Sequence, residues 1–225
     1  QQQAEAVFQD QPGILWQFYL RDGQYAKARE ILLGLLEKHP EDTTVLRGLV
    51  LAASAAGKRD ELQTYLERLL ATENTPDNEA LKLQMYLEHG IDREATRKHL
   101  ASYRERFPND ARGVLLEAWL ATTEGRLDEA LKLANRTLQL VPEDATAWRL
   151  RGLIHRLRND LPQAIEDLEN SRRRQPNNAT IRMELAQAYV RAGRVSAAVG
   201  ELKAALNDPQ APDRAREMLE ALLKR

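Results

Sequence analysis

The sequence predicts an all-α solenoid of repeated helical hairpins. Three observations carry this. Residues 111–176 divide into two halves that repeat with a step of 34, so that Ala118 falls on Gly152, Ala130 on Ala164 and Pro142 on Pro176. Each half holds two helix-length apolar patterns split by a turn signal, Gly125 or Asn159. The step also persists along the chain, giving units at 9–42, 43–76, 77–110, 111–144, 145–178 and 179–212, with 213–225 starting a seventh in phase. A fixed period of this size marks hairpins that cannot bury an apolar face alone and therefore stack on their neighbours.

Composition agrees. Charged residues make up 30% of the 225 and aromatics 5%, with Ala, Leu, Glu and Arg abundant, which favours helix. The formal net charge of −1 provides no bulk field for nucleic acid or anionic membrane. No apolar run approaches the roughly 20 residues a membrane helix needs, and the start has no signal-peptide pattern. The chain has no Cys, which excludes thiol chemistry, disulfides and Cys-based metal sites. A Cys-free chain suits either redox compartment and tilts slightly toward an oxidising one, where an unpaired thiol is a liability. The opening Gln1-Gln2-Gln3 and a first methionine at Met85 lead us to expect a piece of a longer protein.

The elements follow in order. Residues 1–8 contain AEAVF and read as the tail of an upstream helix. In unit one, Pro12 suits a first helical turn, where its missing N–H is harmless. Ile14, Leu15, Phe18 and Tyr19 carry the apolar face, and Gly23 breaks the helix. The second helix runs from Tyr25 to Lys38 with Ala28, Ile31, Leu32, Leu35 and Leu36 inside, and Pro40 ends it. Unit two turns at Gly57 and resumes at Asp60, the expected N-cap, with Leu62, Tyr65, Leu66 and Leu69 inward. Unit three is irregular. Gly90 comes one place early, so an extra residue is expected in its second helix, with a local distortion. Unit six turns at Gly193, Pro209 and Pro212 bracket a loop, and Asp213 is the expected cap of a last helix. That helix places Ala215, Met218, Leu219, Leu222 and Leu223 on one face and Arg214, Glu217, Glu220 and Lys224 on the other, as a capping helix should.

The eighth and twentieth residues of units four to six are small: Ala118 with Ala130, Gly152 with Ala164, Ala186 with Ala198. Small residues let two helix backbones approach closely. This pattern resembles the tetratricopeptide repeat family. Unit five matches at Trp148, Gly152, Ala164, Leu168 and Pro176, and unit six at Leu185, Ala186, Tyr189, Ala198 and Leu202. The match covers 9–212, most complete in units four to six and least in unit three. Trp16 and Val50 stand where the small eighth residue belongs, and Leu62 replaces the usual Ala. The resemblance implies a right-handed α-α superhelix with first helices lining a concave face. It also implies a protein–protein interaction role, with a peptide or another chain bound in that groove.

Residues four, seven, eight and eleven of a unit share the core face of the first helix, so residues two, five, nine and twelve point roughly the opposite way. The ninth residues include Leu51, Met85, Trp119 and Leu153, and the fifth include Arg47, Leu81, Leu115 and Arg149. Nothing in the fold pattern requires apolar residues there. We therefore expect a partner-binding stripe centred on Trp119, with Arg47 and Arg149 near its ends, suited to an amphipathic helix or apolar peptide. Two other readings stay open: packing of these residues on adjacent first helices, and cover by chain outside this sequence. The family's C-terminal carboxylate grip by Lys and Asn is not reproduced. Arg112, Lys82 and Asn78 are present, but Leu51, Leu115 and Leu116 sit where polar partners are needed.

Signals of chemistry are sparse. His39, His89, His99 and His155 are scattered without an i, i+4 pair of His or a carboxylate triad around them, and no phosphate loop or nucleophile elbow occurs. No metal, cofactor or catalytic residue is expected. Arg172-Arg173-Arg174 reads as a complement to the negative end of a helix rather than a nucleic-acid contact. Glu41-Asp42 and Glu143-Asp144 read as solvated loop residues. Glu117 and Arg151 both occupy the normally apolar seventh place of adjacent units and are expected to pair across the stack. The expected function is a non-enzymatic scaffold that binds a protein or peptide, with no nucleic acid and no membrane insertion. The alternative is a spacer or assembly segment of a longer bacterial envelope protein, as in polysaccharide or pilus export, which leans localisation toward the periplasm.

Overall fold

The computed structural model describes residues 12–208, 211 and 213–224, so the expected helix tail at 1–8 and most of the loop bracketed by Pro209 and Pro212 lie outside the described residues. The described residues form thirteen α-helices and no strand. They are α1 (Pro12–Arg21), α2 (Tyr25–Lys38), α3 (Thr43–Ala55), α4 (Arg59–Thr72), α5 (Pro76–His89), α6 (Arg93–Arg106), α7 (Ala111–Thr123), α8 (Leu127–Leu140), α9 (Ala145–Leu157), α10 (Leu161–Arg174), α11 (Ala179–Arg191), α12 (Val195–Ala205) and α13 (Asp213–Leu223). From α2 onward, every second helix up to α12 begins 34 residues after the last, at Tyr25, Arg59, Arg93, Leu127, Leu161 and Val195.

Each hairpin closes by the same local chemistry. A left-handed residue follows the first helix: Gly57 at φ 67°, Gly125 at 76°, Gly193 at 73°, and Asn159 at 66°. The next N–H then reaches back five residues, as Lys58 does to Ala53 O at 2.9 Å and Asp160 to His155 O at 2.8 Å. This back-bond satisfies a carbonyl that the helix end would leave bare. Asn159 fills the role because its short polar side chain tolerates that conformation.

The third hairpin corrects one expectation. Gly90 closes α5 at φ 62°, and Ile91 N–H reaches Tyr86 O at 2.9 Å, one residue early in the period. The surplus residue is Asp92, which lies in the turn at φ 34°. Its carboxylate accepts from Ala95 N–H at 3.0 Å and so caps α6. The extra residue is therefore absorbed before α6, which has 14 residues like α4 and α8. A helix interior would have to shift the register of its whole apolar face to hold it, whereas a turn need only reroute one peptide.

N-caps fall where the units join. Asp42, Thr75, Asp110, Asp144 and Asn178 each accept backbone N–H bonds at the starts of α3, α5, α7, α9 and α11. Asp42 and Asp144, expected as solvated loop residues, are therefore caps, each worth about 1 kcal/mol. Two expected caps lie elsewhere. Lys58 precedes α4, which leaves Asp60 in its first turn, and α13 already begins at Asp213. Both acids still complement the positive end of a helix.

The chain divides into two compact units, residues 1–96 and 97–225. In the first, each of α1 to α4 packs on the next helix, and α1 also touches α3. Leu32, Leu46, Leu49, Val50, Leu62, Leu66 and Leu69 are fully buried there. Trp16 fits at the small eighth position because the neighbouring helix gives way. A Cβ on Gly48 would lie 3.1 Å from Trp16 Cζ3 and 2.8 Å from Leu32 Cδ2.

In the second unit, each helix from α7 to α12 packs on the next, while α7 touches α9 and α9 touches α11. Such contact with near neighbours in the chain is what makes a solenoid. Ala118, Ala130, Ala164, Ala186 and Ala198 are fully inaccessible, so the small pairs do sit at helix crossings. α13 lays Ala215, Met218, Leu219 and Leu222 on the cluster of Ala186, Ala198 and Leu202. Leu223, expected on the same inward face, is 62% exposed. It lies at the last position of α13, past the end of the surface that helix covers.

Candidate partner-binding surface

The second unit places Leu115 and Trp119 on α7 and Arg149 and Leu153 on α9. Four residues separate the members of each pair, so each pair shares a helix face, and α7 touches α9. Leu115, Trp119 and Leu153 are half-buried and pack on the core of Ala118, Ala121, Leu150 and Ile154. The Arg149 guanidinium lies 5.2 Å from the centroid of the Trp119 ring. Its Nη1 donates to Glu184 Oε1 on α11 at 3.1 Å. Arg149 is therefore a bridge between the indole and a carboxylate, rather than a free end of a stripe.

Glu184 is an unusual acid. Burial pushes its carboxyl above the ordinary range, against the opposing pull of Arg149 and Arg156. Its Oε2 is buried without a hydrogen-bond partner. Burial likewise lowers Arg156 from the usual guanidinium range, helped by the charge of Arg191. Neither residue was singled out as functional by its place in the repeat. A glutamate in the middle of α11 and an arginine near the end of α9 look like solvated positions until the stacking is known.

In the first unit, Leu51 on α3 is 47% exposed. Leu81 on α5 is half-buried against the core, and Met85 belongs to that core at 4% exposure. Met85 therefore supports its surroundings from beneath and offers little direct contact. Arg47 Nε donates to Asn78 Oδ1 at 2.9 Å, and Asn78 Nδ2 donates to Glu73 O at 2.7 Å. The three side chains considered for a carboxylate grip are all engaged within the chain. Asn78 is fully buried in those bonds, Lys82 lies over the Tyr86 ring, and Arg112 donates to Asp110.

The expected Glu117–Arg151 pair does not form. Glu117 Oε2 accepts from Arg104 Nε at 3.1 Å on α6. Arg151 makes a bidentate pair with Asp167 at 2.8 and 2.7 Å on α10, and reaches Asn135 on α8 at 2.8 Å. The seventh place of a first helix faces second helices, so each charge finds its partner there. The basic run is also ion-paired within the chain, although Arg172 Nε and Arg174 Nε are buried without a hydrogen-bond partner. Arg174 pairs with Glu143 at 3.0 Å and Arg172 with Glu201 at 3.5 Å, while Arg173 lies 4.0 Å from Glu169. Trp148 is enclosed by Arg151 and Arg174, whose guanidinium carbons lie 4.5 and 5.1 Å from its ring, and its Nε1 donates to Pro142 O. His155 lies 3.5 Å from Asp160 and 3.8 Å from Asp167. Among the described residues, no group of three His, Cys, Asp or Glu is placed to hold a metal ion. No described helix is long and apolar enough to cross a membrane.

Solved structures share this architecture. A tetratricopeptide repeat protein from Parabacteroides merdae superposes with a TM-score of 0.76 at 15% identity, over 97% of this chain and 89% of that one. PilW, a type IV pilus biogenesis factor, gives 0.62 at 13% identity, over 91% and 95%. The Cut9-Hcn1 hetero-tetramer of the APC/C gives 0.70 at 16% identity over 93% of this chain, which spans 42% of the matched chain's length. At such identities the likeness is one of fold. No curated protein matches by sequence. Tetratricopeptide repeat profiles match residues 16–42, 115–170 and 158–212, more than half of the sequence. With the 34-residue helix spacing and the buried small pairs, these matches show that the chain belongs to the tetratricopeptide repeat family.

Proposed function

We propose that this chain is a non-catalytic scaffold that binds a segment of another protein on the exposed faces of its first helices. Trp119 carries the reading. It is a large aromatic that the repeat does not require at its position, and it stays half-buried under Arg149 rather than sinking into the core. Leu115 and Leu153 flank it. Trp and Arg are the residues that most often anchor protein interfaces. An amphipathic helix is the occupant that such a stripe suits. The test is site-specific photo-crosslinking in the native host. A crosslinker at Leu115 or Leu153 should capture one discrete partner that a crosslinker at the exposed, second-helix position Glu166 does not. Equal capture from both faces refutes the surface.

A second reading, service as an assembly segment in a bacterial envelope complex, is supported by the likeness to PilW along almost the whole of both chains. Fractionation of the native host separates the two. A periplasmic protein that co-purifies with envelope assembly components supports this reading, and a cytoplasmic one refutes it.

A further inference from the structure

Unit six carries an acid where the two units before it carry a buried leucine. Glu184 stands one repeat after Leu150 and two after Leu116, which are 0% and 6% exposed. The glutamate side chain is nearly as enclosed, at 15% exposure. Its Oε2 is shielded from solvent without a donor, and burial pushes the carboxyl above the ordinary range. A leucine at this place would bury apolar surface without that cost. What the acid gains is Arg149, whose Nη1 donates to Glu184 Oε1 at 3.1 Å. The same guanidinium lies 5.2 Å from the centroid of the Trp119 ring. The three side chains come from α7, α9 and α11, and α9 touches both of the others. A long arginine side chain has many rotamers, and an ion pair at its far end removes most of that freedom.

We infer that Glu184 is a positioning residue for the docking surface: it anchors Arg149 across the indole of Trp119 and so fixes the shape that an apolar partner segment meets. This rests on the reading of Trp119, Leu115 and Leu153 as that surface. Because the Arg149 guanidinium is already paired, the segment lying there needs no acid of its own. An uncharged, leucine-faced helix is the occupant that fits.

The test has two arms. In the first, the protein is labelled with fluorotryptophan and read by fluorine NMR, with Trp119→Phe identifying one of the three tryptophan resonances. Glu184→Leu restores the residue of the neighbouring units, and it should shift the Trp119 resonance while Trp16 and Trp148 stay in place. Glu184→Gln, which keeps an acceptor oxygen, should shift it less. Arg149→Gln should also shift it, and adding Glu184→Leu to that variant should change nothing more. An unmoved Trp119 resonance in Glu184→Leu overturns the inference. So does an additive shift in the double variant, or movement of all three resonances, which marks disturbed packing. In the second arm, a helical peptide with a leucine face and a glutamine face is titrated by calorimetry. Glu184→Leu should weaken it about threefold while its urea midpoint is no lower than that of the wild type. Lost stability with unchanged affinity overturns the inference, because Glu184 would then serve packing alone. If the peptide does not bind the wild type, the docking reading fails, and the fluorine resonances still decide whether Glu184 positions Arg149.

Discussion

Changing Gly152→Ala would test whether helix crossings in this solenoid are set by backbone approach. Gly152 lies within α9, so gaining a methyl group should favour the helix by about 1 kcal/mol. The crossing opposes this. The new Cβ would lie 2.8 Å from Leu168 Cγ, 3.2 Å from Ala164 O and 3.3 Å from Asp167 Cβ. Leu168 is fully buried and meets the methyl at its branch point, so no terminal group can swing aside. Ala164 O is backbone, and Asp167 is held by Arg151. Relief requires α9 and α10 to move apart, an overpacking penalty of about 1 to 3 kcal/mol. The expected net result is a loss of about 1 kcal/mol, with opposite signs for propensity and packing. Gly200→Ala is the control. It lies in α12 with nothing within 4 Å of its added Cβ, so only the propensity gain of about 0.5 to 1 kcal/mol should appear. Urea denaturation of both variants, read as midpoint shifts at constant slope, measures the difference. If Gly152→Ala stabilises as much as Gly200→Ala, close approach at the crossing is not what holds these helices.

Other consequences are as direct. Asn159→Ala should destabilise by about 1 kcal/mol because φ there is 66°, whereas Asn159→Gly should be neutral or better, both read by thermal melting. A double-mutant cycle on Arg151 and Asp167 should give a coupling of about 1 to 3 kcal/mol, while one on Arg151 and Glu117 should give almost none. Equal couplings would contradict the pairing seen here. Asp110 supplies a pH signature. Burial pushes its carboxyl up, but hydrogen bonds from Arg112 and Tyr103 prevail and hold it at about 2, below the ordinary aspartate range. The folded value is the lower one, so its stabilisation is complete above the unfolded value and lost as pH falls from about 4 to 2. With solvent screening this is on the order of 1 kcal/mol. Asp110→Asn, which keeps a cap, should flatten stability over that window, measured by urea melts at each pH.

Much of the fold was legible in the sequence because the signals were local. Gly57, Gly125, Asn159 and Gly193 mark left-handed closures whatever surrounds them, since steric limits on φ act within one residue. The surface was legible only in outline. The periodicity placed Leu51, Trp119 and Met85 on one face, yet the structure leaves Leu51 exposed, Trp119 half-buried and Met85 in the core. Angular position on a helix says which way a side chain points, not how much neighbouring structure lies over it. Glu184 and Arg156 escaped notice for a related reason. Their burial comes from other layers of the stack, several turns of chain away.

The sequence by itself determined a stack of helical hairpins at constant spacing, the residues that turn them and the small pairs where they cross. Tertiary structure alone decided which second helix satisfies each charge at the seventh place. It alone decided that Asp92 enters a turn rather than a helix, and that Arg149 and Arg156 of α9 act on Glu184 of α11. The division has a physical basis. Repeat spacing and turn conformation are set by neighbours along the chain, while ion pairing and desolvation depend on distances that exist only once the layers are packed.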